Sequence, residues 1–205
     1  MDYPKEEMGS PTSPKAPQDK NSKSFWKELG KLLFLALIIV IPFRLYIAQP
    51  FIVDGASMDP TFRNGQYLIV DEVTYRFKTP ERGSVLIFKY PEDPKKYFIK
   101  RVIGLPGEIV SLKEGAVTIV NNDYSEGLTL YEPYVKFKKE DSLNYTLGEG
   151  EYFVMGDNRL GSSDSRVWGA VPEANIIGRP IIRFFPPALF PGENTPEETP
   201  ANTTQ

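Results

Sequence analysis

The 205-residue chain contains no histidine and no cysteine. Each absence removes a class of chemistry. Without an imidazole, a histidine-based triad is impossible; without a thiol, there is no cysteine nucleophile and no disulfide. A zinc hydrolase would have to rely on carboxylates alone, an uncommon ligand set, so no metal or other cofactor is expected. The formal net charge of -3 leaves no electrostatic case for binding nucleic acid. Long apolar runs are scarce as well, because only Leu32–Phe43 is continuous. The length allows one ordinary domain plus tails.

Residues 1–28 are rich in Pro, Lys, Glu and Ser, without apolar periodicity, and read as a disordered arm on the cytoplasmic side. The apolar block is shorter than the ~20 residues that span a bilayer. It reaches that length over residues 29–48 if Arg44 snorkels to the headgroups, with Trp26 and Tyr46 at the two interfaces. Three readings compete for it. A buried helix of a soluble domain lacks the expected polar face. A cleaved signal peptide is opposed by the long segment before it and by Pro50, which follows the only small-residue site, Ala48. An uncleaved signal anchor fits best. Lys15, Lys20, Lys23, Lys27 and Lys31 precede the block and only Arg44 lies close behind it. The positive-inside rule then places the N-terminus in the cytoplasm of a single-pass protein of the plasma membrane, with everything after Gln49 outside.

From Phe51 onward the pattern is that of strands. Gln66–Val70, Ser84–Phe88, Tyr97–Ile103, Ala116–Val120 and Tyr152–Met155 are short and rich in β-branched or aromatic residues. Turn formers such as Asn64-Gly65, Pro106-Gly107 and Glu114-Gly115 separate them, so residues 49–186 read as a mainly β domain. Residues 187–205 are rich in Pro, Glu and Thr and read as a flexible tail.

Three segments could carry chemistry. In Asp54-Gly55-Ala56-Ser57-Met58-Asp59-Pro60-Thr61, Ser57 is either an ordinary turn residue or a nucleophile held in a sharp turn just beyond the anchor. In Tyr97–Ile103, alternation puts Phe98, Lys100 and Val102 on one face and Ile99, Arg101 and Ile103 on the other. Both faces are largely apolar, so one of the two basic residues is expected among apolar neighbours. A buried ammonium loses hydration and its pKa falls, which frees a neutral amine to act as base where no imidazole exists. The third segment, Met155–Arg166, is a polar loop leaving an apolar strand. On its own it reads as a set of Asx and Ser turns with an Asp164–Arg166 surface pair.

Taken together and in order, these segments resemble the type I signal peptidases, membrane-bound proteases with a Ser/Lys dyad. The likeness runs from the span to about Arg183. It includes Gly55–Thr61, Arg82–Pro91, Lys100–Glu108 and Gly156–Arg159 with Ser162, Asp164, Ser165, Arg166 and Trp168-Gly169. The resemblance implies a signal-peptidase-like, β-rich catalytic domain behind a single N-terminal transmembrane helix. By position it makes Ser57 the nucleophile and Lys100 the general base. Ser162 is the hydroxyl that bonds and orients the lysine, and Asp164 and Arg166 support its loop. Gly55 stands where some members carry a serine whose hydroxyl joins the oxyanion hole, so that donor is missing here. Phe51, Val53, Met58, Leu68, Ile87, Phe98 and Ile99 match the shallow apolar pockets that receive small substrate residues; each is also readable as plain core packing. The segment Ile109–Glu151 is a reduced form of the larger second domain seen in some members.

The implied partners are signal-peptide-bearing precursor proteins and the lipid bilayer. A self-cleaving repressor-type Ser/Lys protease would carry a DNA-binding domain where this chain has an anchor. A catalytically inactive or non-enzymatic membrane-tethered β-domain that binds extracytoplasmic peptides would need neither Ser57, Lys100 nor Ser162.

Overall fold

In a computed structural model of the chain the described backbone comprises residues 20–46, 48–184 and 187–189, with side chains described for 24–41, 49–184 and 187. The chain divides into two compact units, residues 1–41 and 42–205. Helix α1, Lys20–Tyr46, begins before the expected anchor, so residues 20–28 are helical where a disordered arm was expected. Its large apolar side chains from Leu32 to Ile41 are 48–67% exposed. Among the described residues no helix is long and apolar enough to cross a membrane. Of the expected span 29–48, residue 47 and the side chains of 42–48 lie outside the described set, as do residues 1–19 of the arm and 190–205 of the tail.

The second unit is mainly β. Its strands are β1 (Ala48–Ile52), β2 (Tyr67–Asp71), β3 (Val85–Tyr90), β4 (Asp93–Gly104), β5 (Ile109–Lys113) and β6 (Ala116–Val120). They continue with β7 (Leu128–Thr129), β8 (Leu143–Thr146), β9 (Glu151–Met155), β10 (Val171–Pro172), β11 (Ile176–Phe184) and β12 (Pro187–Leu189). One helical turn, α2 (Ser165–Trp168), joins β9 to β10. The larger sheet has the order β1-β2-β11-β3-β4-β9-β10, with β12 added to β11. The start of the expected tail is thus a strand. Residues 109–146 supply a separate four-stranded sheet, β7-β6-β5-β8.

Strand alternation explains how one sheet serves two cores. Val102 of β4 and Tyr152 and Val154 of β9 pack with Leu86, Phe88 and Val171. Their neighbours Ile103, Phe153 and Met155 point the other way, into the core under the four-stranded sheet with Val110, Leu112 and Ile119. A third cluster, Val53, Met58, Phe62 and Leu68, fixes the segment that carries Ser57.

Every step along β1-β2-β11-β3-β4 is antiparallel, so β1 and β4 run in the same direction. β1 ends the sheet, and β4 pairs with β9 only from Arg101 onward. One edge of β1 and the edge of β4 before Lys100 are therefore free of strand partners among the described residues.

Arg101 ties these parts together. Its Nε and Nη2 donate to the two oxygens of Asp157 at 2.8 and 2.7 Å, and its Nη1 donates to the Gly83 carbonyl at 2.7 Å. Asp157 Oδ2 also accepts from Thr61 Oγ1 at 2.6 Å. The side chains of Arg101 and Asp157 are 2% and 0% exposed. Truncating one partner of so buried a pair strands the other charge. Arg101→Ala is expected to lower stability by about 3–5 kcal/mol in chemical denaturation; a loss below about 1 kcal/mol would mean that the pair holds little together.

Candidate active site

The free edges of β1 and β4 face a cleft of about 280 Å³ lined by Phe51–Ser57, Leu68, Ile87, Tyr97–Lys100, Gly161 and Ser163. The Phe51 and Tyr97 rings meet edge to face across it, 5.6 Å between centroids. Six of the seven residues expected to form apolar pockets line this cleft: Phe51, Val53, Leu68, Ile87, Phe98 and Ile99. Met58 does not. It is 1% exposed and packs in the core beside Phe62, because strand β1 has ended and the turn aims it inward.

Ser57 and Lys100, 43 positions apart, meet at the floor of the cleft, with Lys100 Nζ 2.7 Å from Ser57 Oγ. Nζ also donates to the Ile99 carbonyl at 3.1 Å and lies 5.2 Å from the Phe98 ring centre. Lys100 is 4% exposed. Burial pushes its pKa down to about 8, against the opposing pull of Asp164 and Asp157. Both basic residues of Tyr97–Ile103 are buried, rather than one. They differ in pairing: Arg101 holds a carboxylate directly, whereas the bonds of Lys100 go to a hydroxyl and a carbonyl.

The turn around Ser57 is held from two sides. Gly55 adopts φ +96°, a conformation side chains disfavour, and its N–H donates to Asn64 Oδ1 at 2.9 Å. The Ser57 carbonyl accepts from Asn158 N–H at 3.1 Å, and the Ala56 carbonyl from Asn158 Nδ2 at 3.2 Å. Asn158 stands in the polar loop noted in the sequence but carried no assigned role there.

Gly156 is the pivot of that loop. A Cβ on it would lie 2.3 Å from Ser162 Oγ and 2.4 Å from the Ser57 carbonyl oxygen. Its N–H donates to Asp164 Oδ2 at 3.0 Å and its carbonyl accepts from Arg159 Nε at 3.1 Å. Asp164 and Arg166 are not a surface pair: their side chains are 0% and 6% exposed. Arg166 Nε and Nη2 donate to Asp164 at 2.7 and 2.8 Å. Burial raises the Asp164 pKa and the Arg166 guanidinium outweighs it, leaving the carboxyl below its usual range.

Ser162 is close by but not bonded to the lysine. Its buried Oγ makes no hydrogen bond of acceptable geometry, although it is near enough to Asp164 to help hold that carboxyl low. Lys100 spends its contacts on Ser57 and Ile99 instead. Among the described residues no group of His, Cys, Asp and Glu could hold a metal ion.

The crowding at Gly156 generates an expectation. Gly156→Ala must displace both the Ser57 carbonyl and Ser162, costing about 1–3 kcal/mol of stability. A denaturation midpoint equal to that of the parent would refute this account of the turn.

Comparisons with known proteins identify the family. The family described as "Signal peptidase, peptidase S26" matches residues 26–185. A probable signal peptidase I-1 from Synechocystis sp. is 39% identical over 170 residues, covering 79% of this chain and 84% of that one. A signal peptidase I from Bacillus amyloliquefaciens is 34% identical over 192 residues, covering 88% and 95% of the two chains. A crystal structure of a signal peptidase I from Enterococcus faecalis, 32% identical, covers 50% of this chain and 97% of its own at a TM-score of 0.41, too low to bear on the fold. On the extent of the family match and the identity to these relatives, the chain belongs to the signal peptidase, peptidase S26 family.

Proposed function

We propose that this serine endopeptidase removes signal peptides from precursor proteins with Ser57 as nucleophile and Lys100 as general base. The observation that carries the roles is the 2.7 Å contact between Ser57 Oγ and a buried Lys100 Nζ at the floor of a cleft. In its neutral form the amine accepts the Ser57 proton, and Oγ attacks the scissile carbonyl. The lysine then returns that proton to the departing amine of the mature protein. The acyl ester left on Ser57 is hydrolysed by a water that Lys100 deprotonates in turn.

The oxyanion formed at each step needs preorganised donors. Gly55 has no hydroxyl, and its N–H is already bound to Asn64. The Ser57 N–H has no acceptor among the described residues and is the donor assigned here. Substrate binding follows from the two free edges. A peptide extended along the cleft can pair with β1 through Phe51 and Ile52 and with β4 through Tyr97–Ile99, since the two strands run the same way. Alternate side chains then enter shallow pockets that admit only small residues.

The anchor belongs to the same reading. Lysines before the apolar block and a single close Arg44 after it favour a cytoplasmic N-terminus and a catalytic unit outside the plasma membrane. Helix α1 runs through the whole apolar block. Tethering brings the enzyme to the place where precursors arrive with their own hydrophobic segments.

The test is cleavage of a secretory precursor with small residues at the first and third positions before the cut, by detergent-solubilised protein. Ser57→Ala is expected to abolish cleavage. Lys100→Ala is expected to slow it by about 10²–10⁴-fold; a variant as fast as the parent removes Lys100 as the base. The pH profile provides a separate check. Below about 8 the amine carries a proton and cannot act as base. kcat/KM should therefore climb as pH rises through that region and level off above it, and a profile flat from pH 6 to 9 would contradict the assignment.

A further inference from the structure

The connection between β7 and β8, residues 130–142, reaches out of the small sheet and touches three arginines, each of which holds part of the site. Glu132 takes Arg159 in a two-pronged pair, with Nη1 and Nη2 donating at 2.9 and 2.5 Å and side chains 8% and 4% exposed. The Tyr134 hydroxyl donates to Glu132 Oε1 at 3.0 Å, and its ring lies 4.0 Å from the Arg101 guanidinium carbon. Asp141 accepts from Arg166 Nη1 at 2.5 Å.

The far side of each arginine is the informative one. Arg159 Nε holds the Gly156 carbonyl; Arg166 holds Asp164, which in turn holds the Gly156 N–H. Arg166 Nη2 also donates to the Arg159 carbonyl at 2.9 Å, and Arg101 holds Asp157. Both peptide groups of Gly156, the residue pressed against the Ser57 carbonyl, thus depend on cations that the connection neutralises. The three buried guanidiniums face four carboxylates: Asp157, Asp164, Glu132 and Asp141. Two of the four come from this one segment. Without them, two buried cations lose a partner, and such a charge either pulls in water or re-pairs, moving the loop it supports.

We propose that Glu132, Tyr134 and Asp141 form a strap of positioning residues that sets the catalytic serine and lysine through Arg159, Arg166 and Arg101. It rests on the reading of Ser57 and Lys100 as the dyad. The strap touches neither the cleft nor the reacting atoms. It acts on how well the serine turn is held and leaves the pockets alone, so it affects the chemical step more than substrate binding.

The experiment compares the full chain in detergent with Glu132→Gln, Asp141→Asn and the exposed Lys138→Gln on the same connection, using one precursor substrate. Thermal melts are recorded beside kcat and KM. Expected are a fall in kcat of about 10- to 100-fold for Glu132→Gln and a smaller one for Asp141→Asn. KM should stay within about twofold, and Lys138→Gln should match the parent. If Glu132→Gln melts below the assay temperature, Asp141→Asn carries the test, because Arg166 keeps Asp164 as a partner there. A kcat equal to that of the parent in folded variants overturns the strap. So does a loss that vanishes on cooling to where the variant is fully folded, which marks a purely structural segment. A parent that fails to cleave refutes the dyad reading and the strap together, whereas a parent that cleaves beside unaffected variants refutes the strap alone.

Discussion

The buried pair between Arg101 and Asp157 is the constraint on which the remaining geometry rests. A guanidinium cannot shed its proton in a protein, so once strand β4 places Arg101 inside, it needs a carboxylate. Asp157 meets that need from the loop after β9, and Thr61 bonds the same carboxylate from the serine segment. Three stretches of chain distant in sequence are thereby drawn to one point. Ser57 lies four residues before Thr61 and Lys100 one residue before Arg101. Their meeting is a consequence of where the ion pair sits.

The two neighbouring bases of β4 show how one strand yields opposite electrostatic outcomes. Pleating sends them to opposite faces, and both faces are covered from Lys100 onward. Arg101 keeps its charge by pairing. Lys100, left with a hydroxyl and a carbonyl, reduces the cost of burial by lowering its pKa toward neutral release of the proton. Asp164 and Asp157 act at longer range and keep the shift moderate. An amine whose pKa is lowered to about 8 suits the proposed proton transfer near neutral pH.

The larger sheet also leaves work undone in a useful place. An unpaired strand edge is a liability, because it invites association with any extended chain. Here two such edges, running the same way, border one cleft, so the opening suits a single extended peptide. The small sheet looks peripheral by comparison, yet its β7–β8 connection reaches Arg159, Arg101 and Arg166. Its carboxylates complete the charge balance behind the polar loop.

Much of this was readable from residues alone. Without histidine and cysteine a Ser/Lys pair is the nucleophile chemistry left to the chain, β-branched runs between glycine turns mark the strands, and alternation in Tyr97–Ile103 sets a basic residue among apolar neighbours. Local pattern determines these features, since periodicity and residue chemistry act over a few positions. It did not reveal that Met58 turns into the core, that Asp164 and Arg166 are buried, or that Ser162 makes no hydrogen bond to the lysine. Nor did it single out Gly156, Asn158 or Glu132, whose sequence neighbourhoods are those of common turns. Only the glycine directly after an apolar strand hinted at a close approach. The tertiary structure decided these points because each depends on what arrives from another strand: a carbonyl against a missing Cβ, a cation against a distant carboxylate. Composition and periodicity determined which chemistry was available to this chain, and packing across the two sheets determined where it could occur.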